Sequence, residues 1–161
     1  MVSKLTKEDF YLVIEKTPLV SVDFFITTKD NKVLLGYRNN DPAYGTYFTP
    51  GGVIYKNEII NDSIRRVLKN EIDLDYELLK KYITFNKVYT HIYPNNFKDN
   101  IFSTHYVCLS YHIKLPLNSY EYIINPQDEQ HDKIVWYDYD YILKSNSVHH
   151  YVKEMVSDYL K

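Results

Sequence analysis

From about Asn57 to Ile72 neither proline nor glycine interrupts the chain, and the apolar residues Ile60, Ile64, Val67 and Leu68 recur at intervals of three and four. That spacing gathers them on one stripe of an α-helix, which must be buried against a neighbouring element. At about 100° per residue, Glu71 falls within about 60° of every member of the stripe and should also face the core. An ionised carboxylate in that position is costly unless a cation, a hydrogen-bond network or a metal compensates it. Two outcomes stay open on helix geometry alone: the helix ends a turn early and frees Glu71 to reach solvent, or Glu71 belongs to a site.

The flanking segments supply the partner for the helix. Thr6-Lys7-Glu8-Asp9 has the form of a helix start, Phe10, Val13 and Ile14 follow at helical spacing, and Pro18 ends that helix. Leu19–Thr28 and Lys32–Tyr37, separated by Lys29-Asp30-Asn31, read as a β-hairpin. A loop over 39–46 leads to a short strand at Tyr47–Thr49 and then to Pro50-Gly51-Gly52. Tyr82–Tyr93 and Ile101–Leu115 read as antiparallel strands joined by a polar loop. A further loop around 116–131 precedes a short strand at Lys133–Tyr137, and Tyr139–Leu143 and Val148–Leu160 look helical. With no repeat and no linker, the expectation is a single α+β domain over residues 1–161.

Composition removes several function classes. Nineteen basic residues against twenty-one acidic ones give a net charge of −2, which argues against a footprint for duplex nucleic acid or an anionic membrane. Cys108 is the single cysteine, so an intrachain disulfide and the Cys-rich zinc frameworks are excluded. No stretch approaches the ~18 consecutive apolar residues of a membrane span, and Met1–Phe10 contains no signal-like apolar run. A cytoplasmic location is expected. Only four glycines occur, Gly36, Gly45, Gly51 and Gly52, all within seventeen residues. A chain sparing of glycine elsewhere should need it here for backbone geometry.

Gly52, five residues to Glu58, seven to Arg66 and Glu71 five later reproduce much of the signature of the Nudix hydrolases, and Leu68 and Leu74 also match it. Three positions of that pattern are replaced: two glutamates by Val67 and Asn70, and a late glycine by Asp73. These losses are shared with one branch, and the chain resembles the GDP-mannose mannosyl hydrolases beyond the box as well. The resemblance is carried by Glu8-Asp9-Phe10, Thr17-Pro18-Leu19-Val20-Ser21, Asp23-Phe24, Leu34-Leu35-Gly36, Arg38, Asn96-Phe97, Thr104-His105-Tyr106-Val107 and Asp128-Glu129-Gln130-His131-Asp132.

The resemblance implies a Nudix-like fold with a mixed β-sheet core flanked by helices. It also implies Mg2+, one per subunit with Mn2+ as an allowed substitute, held by the Gly51 carbonyl, Glu71 and Gln130. These are hard oxygen donors suited to such an ion. His131 is implied as the general base, a task suited to imidazole near neutral pH. The reaction implied is hydrolysis of GDP-mannose to GDP and mannose by water attack at the anomeric carbon with inversion. Arg38 is implied as a substrate contact, and its guanidinium suits phosphate oxygens; Leu5 and Phe10 are implied in substrate binding near a homodimer interface. Asp23, His91 and Tyr106 match positions near the sugar and the leaving group. Read without the resemblance, Arg38 is also consistent with a solvated strand end, Phe10 with core, and His91 and Tyr106 with satisfied sheet residues.

One departure bears on mechanism: Val53 stands where the related branch has an arginine after Gly-Gly. The expected consequence is a slower enzyme, compensation by another cation such as Lys56 or Arg65, or a different sugar nucleotide. Two other functions fit the same residues: a Nudix pyrophosphohydrolase that cleaves a nucleotide sugar at phosphorus, and a nucleotide-sugar binding module without turnover.

Overall fold

The computed structural model describes residues 4–122 and 131–161, with His131 and Asp132 described by their backbone. Helix α1 (Lys7–Lys16) starts where the sequence places it: the Thr6 hydroxyl accepts the Asp9 N–H at 3.1 Å. Strands β1 (Leu19–Thr27), β2 (Lys32–Arg38), β3 (Tyr47–Phe48) and β4 (Gly51–Val53) precede helix α2 (Ile60–Ile72) and the short helix α3 (Tyr76–Leu79). Long strands β5 (Ile83–Tyr93) and β6 (Thr104–Lys114) follow, then β7 (His131–Asp138), α4 (Tyr139–Lys144) and α5 (His150–Tyr159).

The seven strands form one mixed sheet in the order β3-β2-β1-β6-β5, with β4 paired to β1 and β7 to β2. The expected β1–β2 hairpin is present, with a short ladder. β1 and β2 meet at Thr27↔Val33, and beyond that point they separate. β1 instead runs parallel to β6 from Leu19↔Tyr106 to Thr27↔Lys114, while the Gly51–Val53 segment, not expected as a strand, pairs antiparallel with Ser21–Asp23. A hairpin is the inference that adjacent strands invite; here β4 and β6 offer β1 more pairing than its sequence neighbour does.

Strand alternation divides the core into two layers. Val22, Phe24, Ile26 and Leu34 face α2, whose Ile64, Val67, Leu68 and Ile72 are buried against them. Phe25, Leu35, Tyr89 and Cys108 face the other way, onto Ile142, Val152, Met155 and Val156 of α4 and α5. Helix α2 begins at Ile60 rather than Asn57, and it continues to Ile72, so Glu71 stays on the buried face at 5% exposure. Asp73, in place of the family glycine, takes the left-handed conformation (φ 52°) that ends the helix. An aspartate tolerates that conformation better than most residues, and it pairs with Lys69.

Candidate active site

The Pro50-Gly51-Gly52 segment ties the two layers together. The Phe24 N–H donates to the Pro50 carbonyl at 2.8 Å, and Gly51 and Gly52 oppose Asp23 and Val22. A Cβ on Gly52 would stand 3.0 Å from Val67 Cγ2, so the missing side chain lets α2 lie directly on β4. Glu71 sits one turn beyond Val67 on the same helix face. Among the described residues it is the only buried acid of α2.

The other box residues fasten the loop. Arg66 grips Glu58 with both Nε (2.6 Å) and Nη2 (2.7 Å), donates from Nη2 to the Val53 carbonyl (2.8 Å) and lies 3.9 Å over the Tyr55 ring. Glu58 also accepts the Tyr55 N–H at 2.9 Å. The Arg66 hydrogen bond holds the Glu58 carboxyl below its usual range. Arg65, one candidate for the charge absent at Val53, is engaged with Asp62 (2.9 Å) and Glu77 (2.8 Å) on the exposed side of α2. Val67 is core and Asn70 is exposed, so neither stands in for a lost glutamate.

On the opposite face of the sheet lies a second group. Asp23 is buried, and a Cβ on Gly51 would come within 2.6 Å of its Oδ1 and 2.9 Å of the Val22 carbonyl. Gly51 is therefore a glycine because the Asp23 carboxylate occupies the space. Burial pushes that carboxyl up to about 6, opposed by hydrogen bonds from Cys108 and Ser21 and by the Arg38 charge. Donor atoms of Asp23, His91 and Cys108 lie within 4.8 Å of one another. An O, N and S set of this kind can hold zinc. Here the Cys108 thiol hydrogen-bonds Asp23 and burial pushes its pKa up, so Asp23 and Cys108 form a hydrogen-bonded pair beside His91.

His91 is 2% exposed, its Nε2 has no hydrogen-bond partner among the described residues, and its ring stacks on Tyr151 (4.0 Å between centroids, 16°). Burial, aided by His149 and His150, lowers its pKa to about 4. Tyr106 is partly buried under the influence of Arg38 and Asp23, and burial raises its phenol to about 12. Arg38, at the end of β2, donates from Nη2 to the Pro42 carbonyl at 3.2 Å. Its cross-strand partner on β7 is His131.

The structure thus gathers Asp23, Arg38, His91 and Tyr106, sets Gly51 against Asp23, and brings the His131 backbone beside Arg38. Gln130 lies outside the described residues. Leu5 and Phe10 are not part of this group within one chain: Leu5 is exposed, and Phe10 stacks on Phe97 of the β5–β6 loop (5.6 Å). Sequence reasoning missed His149 and Tyr151. Their signal was limited to a His-His-Tyr string at a helix start.

Residues 17–158 match the NUDIX domain family. The chain belongs to the Nudix hydrolase family. A relative, the low-salt glycan biosynthesis protein Agl8 of Haloferax volcanii, is 31% identical over 132 residues, which span 82% of this chain and 78% of Agl8. An ADP-ribose pyrophosphatase of Methanocaldococcus jannaschii is 40% identical over 57 residues, 35% of this chain and 33% of that protein. Among solved structures, the Nudix domain of Shewanella oneidensis NrtR, complexed with ADP ribose, is similar with a TM-score of 0.65 and 20% identity, covering 98% of this chain and 100% of that domain. A MutT protein from Methanosarcina mazei gives the same TM-score at 13% identity over 89% of this chain and 94% of its own. These two structures speak to the Nudix fold alone. No helix among the described residues is long and apolar enough to cross a membrane.

Divalent metal chemistry is general in Nudix hydrolases, and the Nudix box of this chain accommodates it. The Gly51 carbonyl and the buried Glu71 carboxylate are hard oxygen donors of the kind that would hold such an ion.

Proposed function

We propose that this Nudix protein hydrolyses a nucleotide sugar at its glycosyl carbon, with GDP-mannose as substrate and GDP and mannose as products. The observation that carries this reading is the depletion of inward carboxylates in the box. Val67 is packed in the core, Asn70 is exposed, and Glu58 is clamped by Arg66, which leaves Glu71 as the buried acid of α2. Such a set suits one hard cation, not the metal cluster that prepares water for attack on phosphorus. Gly51, Glu71 and Gln130 would hold Mg2+, which when bound neutralises charge on the departing diphosphate.

In this mechanism a water oxygen bonds to the anomeric carbon as the bond from that carbon to the β-phosphate oxygen breaks. The electron pair leaves with GDP, and His131 takes the proton from the water. Arg38 holds the diphosphate, while Asp23 and Tyr106, buried beside it, orient the sugar end. Asp23 is itself fixed by Cys108 and Ser21. Val53 contributes its carbonyl to Arg66 rather than a charge to the leaving group. Leu5 and Phe10 would serve the site of a second copy in a cytoplasmic homodimer.

The similarity to the M. jannaschii ADP-ribose pyrophosphatase over 57 residues favours a second reading, cleavage between the phosphates. Incubation with GDP-mannose and Mg2+ in ¹⁸O water, read by phosphorus NMR and mass spectrometry, separates the two. GDP with the label in mannose is expected; GMP with the label in a phosphate overturns the glycosyl reading in favour of the second.

A further inference from the structure

The segment joining α4 to α5 is pinned to the edge of the sheet. The Tyr47 N–H donates to the Ser147 carbonyl (2.8 Å), the His149 N–H donates to the Tyr47 carbonyl (3.1 Å), and Val148 bridges Tyr47 in parallel. Tyr47 belongs to β3, paired with the end of β2 that leads to Arg38. This tether delivers the His149 ring to the neighbourhood of Arg38, against Phe48 (5.2 Å) and Tyr93 (5.5 Å).

His149 caps α5, its Nδ1 accepting the Tyr151 N–H at 3.3 Å. An accepting Nδ1 bears no proton, so the neutral ring carries its hydrogen on Nε2. Burial, with His150 and Arg38, lowers the His149 pKa to about 4, which keeps the ring neutral at pH 7. The ring is only partly buried, and Nε2 makes no hydrogen bond among the described residues. Tyr151, in the first turn of the same helix, carries the stacked ring of His91, whose buried Nε2 also lacks a partner. Two imidazole nitrogens without a partner among the described residues, one at the start of α5 and one on β5 against Tyr151, therefore lie among aromatic rings and near Arg38 and Asp23. Neutral hydrogen-bonding groups on aromatic walls match a polyhydroxylated ring. A second phosphate would call for charge that these histidines do not carry.

We propose that His149 is a specificity-determining residue that donates from Nε2 to a hydroxyl of the sugar moiety, with the unpaired nitrogen of His91 completing the polar lining. The proposal rests on the nucleotide-sugar reading above. His149→Asn separates it from a purely structural role, because asparagine is also a strong helix cap but is too short to reach the ligand.

Wild type and His149→Asn are to be titrated calorimetrically with GDP, GDP-mannose, UDP, UDP-glucose, ADP and ADP-ribose. The expected result is unchanged melting and unchanged diphosphate binding. The extra affinity for the preferred sugar nucleotide over its diphosphate should fall about three- to tenfold, the worth of one neutral hydrogen bond. An unchanged increment overturns the His149 assignment alone. A wild type that binds no sugar nucleotide better than its diphosphate overturns both the assignment and the nucleotide-sugar reading. A lost increment alongside cleavage at phosphorus supports His149 and removes only the glycosyl mechanism.

Discussion

The two sides of the Gly51–Gly52 turn are built by different means. On the α2 side, Gly52, Glu58, Arg66, Val67 and Glu71 lie within twenty residues, and one helix face plus one ion pair organises them. On the α5 side, Asp23, Arg38, His91, Tyr106 and His149 come from five separate segments and meet only because the sheet aligns them. The first side presents the buried Glu71 carboxylate; on the second, burial shifts the pKa values of Asp23, His91, Tyr106 and His149. The buried carboxylate of the box and the polar group around Asp23 thus flank the same Gly51–Gly52 segment.

The largest expected effect tests whether chemistry belongs to the β2–β7 end of the second side. His131→Gln should lower kcat for GDP-mannose about 10³-fold while leaving the melting temperature and Mg2+ binding unchanged, since general-base removal typically costs 10²–10⁴. Turnover within about tenfold of wild type would move the base elsewhere, with Asp23 the next group to test.

The two glycines allow the sides to be perturbed separately. In Gly51→Ala the new methyl meets the Asp23 carboxylate and the Val22 carbonyl, and it cannot be housed without displacing Asp23 from Cys108 and Ser21. Activity should fall about 10²-fold through misplacement of the site. In Gly52→Ala the methyl meets the Val67 side chain, Cγ2 at 3.0 Å and Cγ1 at 3.4 Å, so α2 can yield slightly; a loss of about 1 kcal/mol in stability with activity kept within a few-fold is expected. Equal activity losses in the two variants would remove the division between the sides. Urea denaturation and steady-state rates on the same preparations decide it.

This division also explains what could be read in advance. Helix α2, its buried Glu71 and the Gly51–Gly52 segment were legible because a 3.6-residue period and a compact box are local properties. The β1–β2 hairpin was legible too, but its shortness and the β4 pairing were not, because strand partners depend on competing long-range pairings that no local pattern encodes. His149 was invisible for the same reason: its position follows from the Tyr47 tether, a contact across about a hundred residues. Asp23 announced itself as a charge within an apolar strand, yet its neighbours Cys108 and Gly51 could be assigned to it only once register was known.

Acid should also distinguish the sides. His91 protonates near its ordinary value in the unfolded chain but only at about 4 in the fold. The unfolded state therefore binds the extra proton between pH 6.5 and 4, and stability falls as pH drops through that window, by about 3 kcal/mol at most from this residue. His91→Phe keeps a ring on Tyr151 and removes both the titration and the unpaired nitrogen. It should match or exceed wild-type stability at pH 7.5 and exceed it clearly at pH 5. An equal pH slope in both proteins would mean that His91 is not the sensitive group.

The smallest effect belongs to the α2 side and appears in a lower window. Arg66 holds the folded pKa of Glu58 below that of the unfolded chain, so the unfolded state takes up a proton first on acidification. The stability gained from the charged pair is fully present above about pH 4.3 and is lost as pH falls through the depressed folded value. Glu58→Gln still accepts from Arg66 and from the Tyr55 N–H, so at pH 7 it should cost only about 1 kcal/mol. That gap should persist at pH 5, where the histidine side is already losing stability, and close below pH 4. A gap that closed between pH 6.5 and 5 would mean that the two sides titrate as one cooperative unit, and the separation drawn at Gly51 and Gly52 would have to be abandoned.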